Sequence, residues 1–104
     1  MSKDLRYASL ALLYRALLTP YQRELVTDYF LLDLSMGEIS AERGISRQCV
    51  NDGLKKAKEH LDAFEAALNL LGKAERLNAV ADRIEAGESG KRIADELRNL
   101  FEES

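Results

Sequence analysis

The spacing of apolar and polar residues predicts helices along the whole chain, and one stretch organises them. From Ser35 to Lys58 the sequence reads SMGEISAERGISRQCVNDGLKKAK. Ser35 and Glu38 have the spacing of a capping box, which starts a helix. Gly44 can adopt the left-handed backbone conformation that ends this helix, and Ser46 can cap a second helix. The pattern therefore predicts two helices joined by a tight turn.

The second of these helices has one apolar side and one polar side. Val50 and Leu54 point inward, and the outward positions are Arg47, Gln48, Asn51 and Lys55. A helix-turn-helix that reads DNA has this layout: two helices are joined by a turn that contains glycine, and the start of the second helix has a polar face. A plain helical hairpin is the alternative interpretation.

Two further helices are predicted before this unit. Residues 4–18 form the first, and its apolar band covers more than half of the helix surface: Leu5, Ala8, Leu10, Leu12, Leu13 and Leu17. Such a helix packs on two sides, so it is either central in the monomer or also contacts another chain. Thr19 then caps the next helix, with Pro20 at its first position and Gln22 completing a capping box. This helix extends to about Leu32.

The helix that begins at Ser46 is predicted to continue to residue 71. Its apolar positions recur at steps of four and three: Val50, Leu54, Ala57, Leu61, Phe64, Leu68 and Leu71. This is a heptad seam, and a helix of about 26 residues is ~39 Å long. The far half of the seam, from Leu61 onward, packs either on the same chain or on a second copy. Small DNA-binding proteins commonly form two-fold dimers, so we expect a homodimer.

Gly72 is expected to end the long helix. Two helices follow, at residues 73–86 and 91–102, with the turn Gly87-Glu88-Ser89-Gly90 between them and Phe101 on the inner face of the last. The predicted organisation is a helix-turn-helix domain at 1–72, which includes the long helix 46–71, and a C-terminal helical extension at 73–104. The fold class is all-α.

Composition agrees with this fold class and qualifies the function. Apolar residues make up 46% and charged residues 32%, and helix-forming residues dominate. The net charge of −3 is not the basic footprint of a typical DNA-binding protein. Residues 46–58, however, hold Arg47, Lys55, Lys56 and Lys58 against Asp52, a local charge of +3. A solvated helix face is the alternative interpretation of this patch.

No arrangement of residues indicates catalysis. His60 has no partner one helical turn away and is interpreted as a surface residue. Cys49, next to the inward Val50, is interpreted as a small buried thiol. The carboxylates are interpreted as helix caps and surface charges: Asp28, Asp33, Glu38 and Glu42. We therefore expect a protein that is not an enzyme and uses no cofactor or metal.

Gly53 interrupts an otherwise favourable helix sequence. A glycine inside a helix costs about 1 kcal/mol relative to alanine. It either relieves crowding where two helices cross or lets a phosphate backbone approach closely. The chain has no apolar run near the ~20 residues of a membrane span and no signal peptide, so we expect a cytoplasmic protein without membrane contact.

At LLYRALLTPYQ and at SMGEISAERGISRQCVNDGLKKAKEHLDAFEAAL the chain resembles the YlxM-type helix-turn-helix family, whose central part is similar to region 4 of sigma factors. The resemblance covers residues 5–75 and is most specific from Gly44 to Gln48. The chain departs from the family pattern at Cys49, Asn51 and Gly53. The resemblance implies an all-α protein with a sigma region 4-like helix-turn-helix. Because the family's genes tend to neighbour those of the signal recognition particle, it also implies a regulatory or accessory role in protein targeting.

Two functions are consistent with these observations. The first is a DNA-binding regulatory protein whose recognition helix uses Ser46, Arg47, Gln48, Asn51, Lys55 and Lys56, with a further phosphate contact from Thr19 and Gln22. The second is an interaction module that binds the protein or RNA of the signal recognition particle without reading DNA. The acidic net charge favours the second.

Overall fold

The computed structural model describes residues 3–88, 90–100 and 102, and over these residues the chain forms six α-helices and no β-strand. The helices are α1 (Leu5–Tyr14), α2 (Pro20–Val26), α3 (Met36–Arg43), α4 (Arg47–Leu68), α5 (Leu70–Glu85) and α6 (Lys91–Asn99). A 3₁₀ turn, Arg15–Leu17, follows α1, and a π-helical turn, Thr27–Leu31, follows α2. The predicted all-α fold class is confirmed. Ser89 and Phe101 lie outside the described residues.

The described chain divides into two compact units, one up to Ala67 and one from Leu68 onward. The core of the first unit contains residues from all four of its helices: Leu10, Ala11, Tyr14, Leu25, Val26, Ile39, Val50, Leu54, Ala57 and Leu61. Burial of each large apolar side chain stabilises the fold by roughly 1.5–3 kcal/mol. No helix in the described ranges is long and apolar enough to cross a membrane.

The helix caps that the sequence predicts around α3 and α4 are present. The Ser35 hydroxyl accepts a hydrogen bond from the Glu38 amide at 3.0 Å, and the Glu38 carboxylate accepts one from the Ser35 amide at 3.0 Å. Gly44 adopts a left-handed conformation with φ of 66° and ends α3. Ser46 then accepts a hydrogen bond from the Cys49 amide at 3.0 Å and caps α4.

The prediction that the first helix packs on two sides is wrong within this chain. Leu10, Ala11 and Tyr14 are buried on one face. The opposite face leaves four leucines exposed, with exposed fractions of 40–78%: Leu5, Leu12, Leu13 and Leu17. The α-helix also ends at Tyr14, four residues before the predicted end, because the chain tightens into the 3₁₀ turn. Contact of the exposed face with another chain stays a prediction.

The heptad seam of α4 is buried within its own unit from Val50 to Leu61, and its far end contacts α1 of the same chain. The rings of Tyr14 and Phe64 lie 5.9 Å apart, and the Tyr14 hydroxyl donates to Glu65 at 2.6 Å. Leu61 is fully buried and Phe64 is half-buried. At the far end Leu68 keeps an exposed fraction of 43%. The structure thus places the seam up to Phe64 inside the monomer.

The long helix ends at Leu68, not at residue 71, so α4 has 22 residues and is ~33 Å long. Asn69 ends it by adopting a left-handed conformation with φ of 51°. Asparagine enters this region more readily than other residues with a side chain, apart from glycine. Gly72, predicted to end the helix, lies inside α5. A side chain at Gly72 would overlap the amide of Asn69, so the glycine makes room for the residue that forms the break.

The second unit contains the predicted helical hairpin of α5 and α6. Val80, Ile93 and Leu100 are its buried apolar residues. Arg83 of α5 donates hydrogen bonds to Glu88 in the turn and to Glu96 of α6. The Arg83 guanidinium also lowers the pKa of the Glu88 carboxyl.

The capping box of α3 should contribute to the stability of the folded protein in a way that depends on pH. The hydrogen bond from the Ser35 amide, followed by that from its hydroxyl, holds the pKa of Glu38 below its ordinary value of 4.5. These bonds are absent in the unfolded chain. The contribution is therefore complete above the unfolded-state pKa and is lost as pH falls through the folded-state pKa.

Thermal unfolding of the wild type and of Glu38→Gln, measured from about pH 3 to about pH 7, tests this contribution. Glutamine retains a capping side chain but does not titrate in this range. We expect the wild-type Tm to exceed that of the variant by the largest margin above pH 4.5, and the margin to shrink in acid. A margin that is constant with pH would contradict the prediction.

Candidate nucleic-acid interface

The turn between α3 and α4 is closed by hydrogen bonds to Ser40. The amides of Gly44 and Ile45 both donate to the Ser40 carbonyl oxygen. The Ser40 hydroxyl in turn donates to the carbonyl oxygen of Ile45. Because these bonds fix the backbone between the two helices, they also fix the direction in which α4 leaves the turn.

A partly buried ion pair holds α3 against α2 and the π-helical turn that follows it. Arg43, the last residue of α3, donates two hydrogen bonds to Asp28 at 2.7 and 3.0 Å and a third to Glu24 at 3.0 Å. The hydrogen bonds to Asp28 are the main cause that raises the pKa of Arg43. The interpretation of Asp28 as a surface charge is wrong, since only 9% of the residue is exposed. Its partner lies 15 residues away, a spacing that no local sequence pattern reveals.

Every position at the start of α4 that is predicted to contact DNA is exposed: Ser46, Arg47, Gln48, Asn51, Lys55 and Lys56. Gln48 donates to Asp52 at 2.8 Å, one helical turn further along. Within the described part of the chain, Arg47, Lys55 and Lys56 form no ion pair. The first three turns of α4 therefore present three cationic side chains without a carboxylate partner. We call these six residues the leading face.

Arg47 lies over the first turn of α3. A side-chain carbon added at Gly37 would be 2.8 Å from one terminal nitrogen of Arg47 and 3.2 Å from its central guanidinium carbon. The guanidinium therefore occupies the space that a larger residue at position 37 would fill. The sequence signals this role of Gly37 only through a glycine in the first turn of a predicted helix.

The two residues predicted to form a further phosphate contact have different environments. Thr19 is exposed and caps α2, accepting a hydrogen bond from the Gln22 amide at 3.3 Å. The Gln22 side chain does not complete a capping box; its amide oxygen lies 3.1 Å from Nδ1 of His60. Because only 9% of Gln22 is exposed, its assignment to a phosphate contact is corrected, and Thr19 alone remains available. His60 is exposed, as predicted.

Cys49 is exposed, so its interpretation as a buried thiol is wrong. Its sulfur lies 3.7 Å from the hydroxyl of Tyr21 in α2. Successive residues of an α-helix are separated by about 100° around the axis. Cys49 therefore faces outward although its neighbour Val50 is buried.

Gly53 lies where α2 crosses α4. A side-chain carbon at this position would overlap Leu25 and approach the ring of Tyr21 to 3.2 Å. Of the two roles that the sequence left open, the structure shows the first: the glycine relieves crowding between helices. This close crossing holds α2 against the same part of α4 that carries the leading face.

The comparison with known proteins agrees with this architecture. A family model described as "Putative helix-turn-helix protein, YlxM / p13 like" matches residues 1–100. The chain belongs to this helix-turn-helix family. The YlxM-like resemblance found in the sequence is thereby confirmed, and it extends through most of the C-terminal unit.

Full-length relatives support the family assignment. The UPF0122 protein of Pediococcus pentosaceus is 39% identical and is matched over 99% of this chain and 92% of its own length. Relatives from Geobacillus kaustophilus and Halalkalibacterium halodurans are 38% and 34% identical, over 99% and 98% of this chain and 94% of their own lengths. The two helices α3 and α4 and the turn between them have the layout of the helix-turn-helix for which the family is named.

Substitution of Gly53 tests the crossing of α2 over α4. In Gly53→Ala the new methyl group overlaps the fully buried Leu25. Overpacking of this kind typically costs 1–3 kcal/mol, against a gain of at most about 1 kcal/mol in helix propensity. We expect a net loss of about 1 kcal/mol in the free energy of unfolding, measured by urea denaturation.

Asn51→Ala is the matched control, because it gains helix propensity at an exposed position of the same helix. It should be neutral or stabilising. In addition, Leu25→Val should cost less in the Gly53→Ala background than in the wild type, since it relieves the overlap. Stabilisation by Gly53→Ala equal to that of the control would show that the crossing is not tight.

Proposed function

We propose that this protein is a cytoplasmic regulatory protein that binds duplex DNA through α4, as a homodimer. The observation that supports this function is the exposed leading face of α4, whose three cations have no carboxylate partner in the described chain. The leading face stands on a helix whose opposite side is buried and whose entry is fixed by the Ser40 turn. The resemblance to the YlxM family adds a role in the signal recognition particle pathway to the proposal.

The chemistry of the leading face suits the major groove, which admits an α-helix. An arginine such as Arg47 can donate two hydrogen bonds to guanine, and an asparagine such as Asn51 can pair with adenine. Lys55 and Lys56 lie a little more than one turn beyond Asn51 and are suited to phosphate oxygens. Gln48 can reach a base edge if it releases Asp52, and the exposed Thr19 can supply a further phosphate contact.

The homodimer is supported by the exposed apolar face of α1. Leu5, Leu12 and Leu13 project from one helix, with exposed fractions of 78%, 65% and 40%, and Leu17 extends the same surface. Several large leucines exposed on one short segment are consistent with a protein–protein interface. A two-fold dimer would present two leading faces to two half-sites of a duplex.

A second candidate function is an interaction module that binds the protein or RNA of the signal recognition particle without reading DNA. It is favoured by the net charge of −3 over the whole chain. Binding to random duplex DNA at about 50 and 200 mM salt separates the two functions, because a DNA-binding protein shows weak affinity that falls steeply with salt. No duplex binding at the lower salt, together with binding to targeting-particle components, would favour the interaction module.

Arg47→Ala tests the assignment of the leading face. After selection of a preferred duplex, we expect the variant to lose 1–3 kcal/mol, or about 5- to 150-fold in affinity, in fluorescence anisotropy. Arg6→Ala is the matched control, since Arg6 is also exposed but lies on α1. The control should change affinity far less. Equal affinities of Arg47→Ala and the wild type would exclude Arg47 from base recognition.

Leu12→Glu tests the proposed dimer. A charge on the exposed face of α1 should convert a dimer to a monomer without unfolding the chain, because Leu12 is not part of the core. Light scattering coupled to gel filtration gives the mass. Leu32→Glu is the control, since Leu32 has a similar exposed fraction of 61% but lies outside α1. A monomeric wild type would contradict the dimer.

A further inference from the structure

A cleft with a volume of about 440 Å³ lies beside the leading face. Tyr7 of α1 and Tyr29 and Phe30 of the π-helical turn contribute aromatic rings to its walls. Its floor and rim include residues of α4, among them Asn51 and Lys55, which also belong to the leading face. The cleft is within the size range of small-molecule sites, and no part of the sequence analysis predicted it.

The aromatic walls are held in place before any ligand binds. The rings of Tyr7 and Phe30 lie 5.8 Å apart, and those of Tyr29 and Phe30 meet edge-to-face at 5.0 Å. The Tyr7 hydroxyl donates to Asp62 at 2.7 Å, and Lys3 lies 3.8 Å from the centre of the Tyr29 ring. Since these rings are half-buried and mutually packed, a ligand would meet a preformed apolar surface.

The polar groups of the cleft follow one side of α4. Asn51, Lys55 and Lys58 are spaced by four and three residues and therefore line up along the helix. Lys55 has no ion pair in the described chain, and the Lys58 ammonium lies 5.3 Å from the centre of the Tyr7 ring. Two carboxylates, Glu59 and Asp62, also line the cleft, on later turns of α4. Asp62 is already engaged by the Tyr7 hydroxyl.

We propose that this cleft binds a nucleotide, with the base against the aromatic walls and the phosphate at Lys55 and Lys58. The amide of Asn51 can both donate to and accept from a base edge, and planar bases stack on tyrosine rings. Aromatic rings, an amide and two lysines together match a base joined to a phosphate. The nucleotide is either an unpaired residue of a single strand or a free nucleotide. The inference extends the proposed duplex-binding function and rests on it only through the shared Asn51 and Lys55.

Tyr7→Leu, compared with Tyr7→Phe, tests the cleft. The probes are a fluorescein-labelled single strand of about 12 nucleotides, a duplex of the same sequence, and AMP and UMP. Loss of one stacked base weakens binding by about 5- to 150-fold, so Tyr7→Leu should bind the single strand that much more weakly. Tyr7→Phe, which keeps the ring, should stay close to the wild type. Duplex affinity should be unchanged by either variant, whereas Arg47→Ala should lower it.

Amide and side-chain NMR shifts of the wild type give a second readout that does not depend on the folding of a variant. If the cleft accepts free nucleotides, millimolar AMP or UMP should shift the resonances of Tyr7, Phe30 and the Asn51 side-chain amide. If only the single strand shifts these resonances, the ligand of the cleft is an unpaired nucleotide within a strand. Absence of shifts at these residues with every probe would overturn the proposal. Likewise, equal single-strand affinities of wild type and Tyr7→Leu would overturn it. An unchanged duplex affinity of Arg47→Ala would count against the proposed function alone.

Discussion

Burial of one side of α4 is the constraint on which the rest of the N-terminal unit depends. Four residues on this side have exposed fractions of 3% or less: Val50, Leu54, Ala57 and Leu61. A helix that buries a stripe of this kind must direct the opposite side to solvent. The residues on that side are the leading face, so the same packing that stabilises the fold also exposes the polar and cationic side chains.

Two contacts convert this packing into a defined geometry. Gly53 lets α2 approach α4 closely through Leu25, and Arg43 ties α3 to Asp28. The first contact joins residues 28 positions apart and the second joins residues 15 positions apart, so neither follows from local sequence. The direction of α4 relative to α2 and α3 is thus set by packing and by a partly buried ion pair, in addition to the turn itself.

The local features of the fold could be predicted from the sequence because their physical causes are local. The capping box of Ser35 and Glu38 and the left-handed Gly44 depend on residues at most three positions apart, and each is present. The family resemblance carried the same information. The burial pattern of the first half of the heptad seam also followed from helical periodicity.

The rest could not be predicted because it depends on contacts between distant residues or on competition between residues. Asp28 is buried only because Arg43 reaches it across 15 positions. The break after α4 fell at Asn69 and not at Gly72, where an added side chain would overlap the side-chain amide of Asn69. Gln22 faces His60, 38 residues away, and the aromatic cleft joins four segments. A linear pattern does not encode these juxtapositions.

The central claim is that the leading face of α4 is the surface that meets nucleic acid. The most direct test is titration of the ¹⁵N-labelled protein with a random duplex at about 50 mM salt, followed by amide NMR. The account predicts that the largest shifts fall between Ser46 and Lys56 and collapse as salt is raised. Shifts confined to other parts of the chain, with residues 46–56 unchanged, would contradict it.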